Sequence, residues 1–130
     1  MHQVDVYIET LPPPLNAVAA EVRQLLFEKV PHIEERFSFK LPFYHYLGMF
    51  CYLRYNPELQ ALDLTFTRGK DLQMAFPQLE LRNRATGASA VLKTMADITL
   101  LEVPLMVEAA ADWQQEAKAM GRQLVNKKAK

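Results

Sequence analysis

The chain has 130 residues, of which 50% are hydrophobic and 23% are charged, and its 15 basic and 15 acidic side chains cancel. This length and composition predict a single domain, residues 1–125, with a core of its own, and argue against wholesale disorder. A net charge of zero provides no global field that attracts nucleic acid or an anionic membrane, so we expect neither as a partner.

The single cysteine, Cys51, cannot form an internal disulfide and suits a reducing compartment. The N-terminal sequence lacks the basic and apolar regions of a secretion signal, and no apolar run is long enough to span a membrane. We therefore expect a soluble, cytoplasmic protein.

The first elements in the chain are helical. Residues Val4–Leu11 predict one or two helical turns, and Pro14–Lys29 predicts a longer amphipathic helix that ends at Pro31. Apolar residues recur there at the three- and four-residue spacing of one helical face: Leu15, Val18, Ala19, Val22, Leu25, Leu26 and Val30.

A region rich in aromatic and β-branched residues follows, and its apolar residues alternate with a period of two. Such alternation is typical of strands with one buried and one solvated face. The predicted strands are Ile33–Phe39, Pro42–Tyr46, Met49–Tyr55, Leu62–Thr67 and Ser89–Thr94, with a hairpin turn at Leu47–Gly48.

Between the last two strands, Gly69–Gly87 predicts a long loop with a helical turn, and Pro104 opens a final amphipathic helix. Residues 126–130 predict a basic, disordered tail. The predicted elements are a helical region, then an antiparallel meander of about five strands, then a final helix. This order predicts an α+β fold. We expect a two-layer sandwich in which one sheet face is free.

The pairing of the third and fourth strands has two plausible registers. Arg54 lies opposite Leu62 in one and opposite Asp63 in the other. The second register forms an ion pair across the strands, worth about 0.2–1 kcal/mol. We choose it because it also sends one alternating set to the core: Met49, Cys51, Leu53, Leu62, Leu64 and Phe66.

This register predicts an aromatic free face, on which Phe43 lies opposite Tyr52 and His45 lies opposite Phe50. An exposed apolar patch usually marks an interface or a binding groove. The alternatives are that the Gly69–Gly87 loop or a homodimer partner covers it, or that it forms a small-ligand pocket. The candidate binding residues, with the rim and strand-end cations included, are Lys40, Phe43, His45, Phe50, Tyr52, Arg54, Asp63, Thr65 and Arg68.

Catalytic patterns are missing from the sequence. There is no Gly-rich phosphate loop, no nucleophile elbow and no cysteine pair at zinc spacing, and the histidines His2, His32 and His45 are far apart. The predicted register places Cys51 and His45 on opposite sheet faces. We therefore expect a non-catalytic protein without a cofactor.

Three segments of the chain resemble the YdhG-like domain-of-unknown-function family over about residues 4–122. They are Tyr7–Pro12, Phe37–Tyr44 followed by Gly48, and Leu62–Leu72 with its Phe-x-Arg-Gly sequence. The resemblance implies an α/β sandwich distantly similar to frataxin, and some relatives are described as intracellular iron chaperones. Carboxylates suit such hard cations, and here that role would fall on Glu21, Glu28, Glu34 and Glu35.

Two functions are therefore expected, and an enzyme that uses a pocket not evident from the sequence ranks behind both. The preferred one is a binding or interaction module that uses the aromatic face for a small molecule, a peptide or a second copy of the chain. The alternative is an iron-binding protein that uses the four carboxylates.

Overall fold

A computed structural model describes the backbone of residues 2–129 and the side chains of residues 2–121. Its elements, in chain order, are α1 (His2–Glu9), α2 (Leu15–Lys29), β1 (Glu34–Ser38), β2 (Leu41–His45), β3 (Met49–Asn56), β4 (Ala61–Phe66), α3 (Gly69–Leu72), β5 (Ala88–Leu92), α4 (Met95–Leu100) and α5 (Val103–Ala129). The predicted α+β class is confirmed. The predicted tail, residues 126–130, falls where side chains are not described, and it stays a prediction.

The five strands form one sheet in the order β1-β2-β3-β4-β5, and every neighbouring pair is antiparallel. This is the predicted meander. Between β3 and β4, Arg54 pairs with Asp63 and Tyr52 pairs with Thr65, so the second of the two registers is confirmed.

The core lies between the helices and one face of the sheet. The apolar stripe of α2 is buried, as predicted, and so are the inward residues Leu53 and Leu64 of β3 and β4. Cys51 is also buried on this face, where it pairs with Phe66 of β4. Helix α5 contributes Val103, Met106 and Val107 to the same cluster.

A β-bulge near the β2–β3 turn changes the predicted position of Phe50. His45 pairs with Met49 and not with Phe50, so β3 carries one extra residue at this point. The extra residue interrupts the two-residue alternation, and Phe50, only 2% exposed, packs edge to face on Phe66 in the core. Met49, predicted to be in the core, is half exposed. Both predictions were wrong for the same reason.

Two short helices flank β5. Helix α3 supplies the helical turn predicted within Gly69–Gly87. Helix α4 was not predicted, although Thr94 and Asp97 form a capping box at its start. Helix α3 begins so close to β5 that a Cβ atom on Gly69 would lie 2.6 Å from the Cβ of Ala88, so glycine is required there.

Candidate functional site

Four rings cluster on the sheet face opposite the helical core, and we call this cluster the aromatic surface: Phe39, Phe43, His45 and Tyr52. The rings of Phe43 and Tyr52 stack with centroids 4.8 Å apart, and those of Phe39 and Phe43 lie 5.5 Å apart. Phe43 is buried by its neighbours, whereas Phe39 is 80% exposed. Phe39 is therefore the most exposed member of the aromatic surface, while His45 and Tyr52 are partly exposed.

The β1–β2 hairpin holds Phe39 in this position. Ser38 pairs with Leu41, which leaves Phe39 and Lys40 as a two-residue turn. Both turn residues have positive φ, 54° and 60°, which the two-residue hairpin geometry requires. Residues with a Cβ adopt this left-handed conformation at a cost of about 1–2 kcal/mol each, so Phe39 is exposed and strained at once.

The part of this sheet face formed by Asp63 and Thr65 of β4 is covered, which differs from the prediction for these two residues. Both are buried. The segment between α3 and β5 crosses them: Arg82 donates two hydrogen bonds to the Asp63 carboxylate, at 2.7 and 2.9 Å. The Thr65 hydroxyl lies 2.7 Å from that of its strand partner Ser89, which accepts a hydrogen bond from Arg84 of the same segment. Loop cover, one of the alternatives, thus applies to β4 and β5. Arg54 stays half exposed, 3.7 Å from Asp63.

Of the two cationic residues predicted at the strand ends, only Lys40 lies beside the aromatic surface. Lys40 is in the β1–β2 turn next to Phe39, as expected for the rim of the aromatic surface. Arg68 is not part of that face, because its Nε atom donates a 3.0 Å hydrogen bond to the Oε1 atom of Gln114 in α5. It lines a separate cleft.

The four predicted metal ligands do not converge. Glu34 and Glu35 follow each other in β1 and point to opposite sheet faces. Glu34 pairs with Arg36, and Glu28 accepts a hydrogen bond from Gln24 in α2. Among the described residues, no three His, Cys, Asp or Glu side chains are grouped so that they could hold a metal ion.

Glu35 belongs instead to a partly buried network on the helical side of the sheet. Its carboxylate accepts two hydrogen bonds from Arg23, both 2.7 Å, and one of 2.8 Å from the Tyr44 hydroxyl. Arg23 also donates to Asp5 at 2.6 Å, which lowers the pKa of Asp5. Burial raises the pKa of Tyr44, so its proton stays in place. This network joins α1 and α2 to the sheet.

A groove of about 620 Å³ lies above this network, between α1 and α2. It was not predicted, because the sequence pattern locates only the buried side of α2. Its apolar part contains Phe27, which is half exposed and packs edge to face on Tyr44. The lining residues are Asp5, Ile8, Glu9, Ala20, Arg23, Gln24, Phe27 and Glu28.

His45 and Cys51 cannot act as a catalytic pair in this geometry. They lie on opposite faces of the sheet, as predicted, because Cys51 pairs directly with Tyr44 and His45 is the next residue. Burial raises the pKa of the Cys51 thiol, so the reactive thiolate is disfavoured. Burial, and then the charge of Arg36, lower the pKa of His45.

Comparison with known proteins finds no match to this chain among protein-family models, curated proteins or solved structures. The resemblance to the YdhG-like family therefore stays a prediction. In the part of the chain that the structure describes, no helix combines the length and the apolar character that crossing a membrane requires.

Proposed function

We propose that the protein is a non-catalytic binding module whose aromatic surface docks against the same surface of a second copy. The observation that carries this proposal is Phe39, which is 80% exposed on a left-handed turn beside a stacked pair of rings. Strained residues are retained mainly where they serve a function. Aromatic side chains, phenylalanine included, are enriched at the cores of protein interfaces.

A second copy fits this surface electrostatically. The chain has no net charge, so two copies do not repel each other at long range. Beside the rings, the exposed Glu34 is paired with Arg36, and Arg54 is half exposed, so both signs of charge are present at the rim. In a two-fold interface the same patch meets itself, and each contact occurs twice.

The strength of the contact follows from Phe39. Complete burial of a phenylalanine side chain stabilises by about 1.5–3 kcal/mol. A dimer contains two copies of Phe39, so the substitution Phe39→Ser removes about 4 kcal/mol from the free energy of dimerisation. This loss raises the dissociation constant about 1,000-fold.

The test measures molar mass by light scattering after size exclusion, over a wide range of protein concentration. We expect the wild type to rise from the monomer mass of 14.9 kDa towards twice that value. Phe39→Ser and Tyr52→Arg should remain monomers. The matched control is Met74→Ser, since Met74 is 96% exposed but lies outside the aromatic surface.

A wild type that stays monomeric at every concentration would refute self-association. Equal dimerisation of the wild type and Phe39→Ser would place the contact elsewhere on the molecule. If the monomeric wild type is instead stabilised by an aromatic small molecule or a peptide, and Phe39→Ser is not, the aromatic surface has a different occupant.

Iron binding by Glu21, Glu28, Glu34 and Glu35 stays a separate prediction based on the resemblance. Anaerobic calorimetric titration with ferrous ion tests it. A saturable heat that disappears in the double variant Glu28→Gln, Glu34→Gln would support it. These two residues are chosen because Glu35 is committed to Arg23 and Tyr44, so its substitution would also disturb the fold.

A further inference from the structure

A cleft of about 410 Å³ lies between the β2–β3 turn, the start of α3 and the helix α5. Its wall carries three cationic side chains, those of Arg68, Lys70 and Lys118, and one carboxylate, that of Asp71. Asp71 accepts a 2.8 Å hydrogen bond from the indole nitrogen of Trp113. The cleft therefore has a surplus of two positive charges, in a protein that has no net charge.

Arg68 is held in place by a buried amide. Gln114 is only 4% exposed. The two hydrogens of its Nε2 atom are shared among the backbone carbonyls of Tyr46, Leu47 and Met49, at N–O distances of 2.9, 3.2 and 3.1 Å. The Oε1 atom of the same side chain accepts the hydrogen bond from Arg68 Nε. One buried side chain thus fixes both the turn and the guanidinium on opposite sides of the cleft.

The two outer nitrogens of the Arg68 guanidinium, Nη1 and Nη2, donate to no acceptor among the residues that the structure describes. In this respect Arg68 differs from the other arginines with described side chains. Arg23, Arg36, Arg54 and Arg82 pair with carboxylates, and Arg84 donates to two carbonyls and to the hydroxyl of Ser89. Among the described residues, no carboxylate forms an ion pair with Lys70 or with Lys118.

We propose that this cleft binds a small molecule bearing a phosphate monoester. The two surplus positive charges match a dianionic phosphate, and a guanidinium with free outer nitrogens matches the geometry of its oxygens. The volume falls in the range of about 300–1,000 Å³ found for small-molecule sites. The apolar side chains of Leu47 and Met49, both partly exposed in the same wall, provide contact for the organic part of the ligand.

This inference is independent of the aromatic surface. The residues that line the cleft belong to the β2–β3 turn, α3, α5 and the segments that flank α3, and none of the four aromatic-surface residues is among them. A dimer that fails to form would leave the phosphate proposal unchanged, and a cleft that binds no phosphate would leave the dimer proposal unchanged.

The test is a nuclear magnetic resonance titration of the complete, isotope-labelled chain with inorganic phosphate and with phenyl phosphate, at constant ionic strength. We expect saturable shifts of the backbone amides of Gly48, Lys70 and Thr86, and tighter binding of phenyl phosphate. Arg68→Gln should weaken binding about tenfold or more, since it removes the charge-assisted hydrogen bonds. Lys118→Gln should weaken it about threefold and leaves every described hydrogen bond in place.

The control variant is Arg36→Gln, which removes a cation from β1 and should not change the affinity. Shifts reproduced by sodium chloride alone, or affinity unchanged in both Arg68→Gln and Lys118→Gln, would overturn the proposal. Equal affinity for the two probes would refute the contact assigned to Leu47 and Met49, and would reduce the site to one for free phosphate. The Lys118→Gln result decides the outcome if Arg68→Gln fails to fold.

Discussion

Replacement of Arg82 by methionine tests how strongly the segment above β4 stabilises the fold. Arg82 forms two short hydrogen bonds to Asp63, whose side chain is 2% exposed. Two charges about 4 Å apart interact by about 4 kcal/mol at an effective dielectric constant of about 20. Arg54, 3.7 Å away, and the Asn56 amide, 3.2 Å away, remain in the variant and compensate part of the loss.

We therefore expect Arg82→Met to lower the free energy of unfolding by about 2–3 kcal/mol. Breaking a fully buried ion pair typically costs more, about 3–5 kcal/mol. Methionine retains most of the apolar stem, so the change reports mainly on the charge. Urea unfolding, followed by circular dichroism, measures the midpoint and the slope, and an unchanged slope confirms that the same two states are compared.

A double-mutant cycle with Asp63→Asn separates the pair from its surroundings. The double variant should be more stable than the sum of the single losses predicts, with a coupling energy of about 1–2 kcal/mol. The control is Arg36→Met, which breaks an exposed pair with Glu34 and should cost less than about 0.5 kcal/mol. A coupling energy below about 0.5 kcal/mol between Asp63 and Arg82 would refute the reasoning.

Three further predictions concern single residues. Because burial raises the pKa of the Cys51 thiol, a thiol reagent should modify it only as fast as the protein unfolds, and rapid labelling of the native protein would contradict this. Nuclear magnetic resonance should give His45 a pKa below 6.5, partly restored in Arg36→Gln; because the native state takes up this proton less readily than the unfolded chain, stability should fall as the pH drops below 6.5. An unchanged His45 pKa in that variant would remove Arg36 as a cause. Gly69→Ala should cost about 1–3 kcal/mol in urea unfolding, because its Cβ would collide with Ala88, and a neutral result would show that α3 can shift away.

The sequence predicted which faces of α2 and β4 lie against the helical core, whereas the other face of β4, predicted to be solvated, is buried as well. The stripe of α2 and the alternation of β4 each report directly on a core face, since apolar side chains there repeat with the period of the element. The β3–β4 register was also predictable, because the choice between two pairings depended on a local charge pair, Arg54 with Asp63.

The sequence did not predict positions that depend on irregular backbone or on residues far away in the chain. The bulge that turns Phe50 into the core accompanies a connection of three residues, 46–48, between His45 and Met49 in place of the predicted two, and a period-two pattern carries no signal for one extra residue. Arg82 lies 19 residues from Asp63, in a segment without periodicity, so its position above the sheet could not be predicted. The cleft at Arg68 likewise depends on Gln114, which is 46 residues away.

Strand β1 forms an outer edge of the sheet, and its composition affects how copies of the chain can meet. Glu34, Glu35 and Arg36 are consecutive, and a foreign strand added along this edge would have to strip water from the exposed Glu34 and Arg36 side chains. Indefinite strand-by-strand stacking into fibrils is therefore disfavoured on this side. Contact through a compact patch with two-fold symmetry closes on itself, and growth stops at two copies.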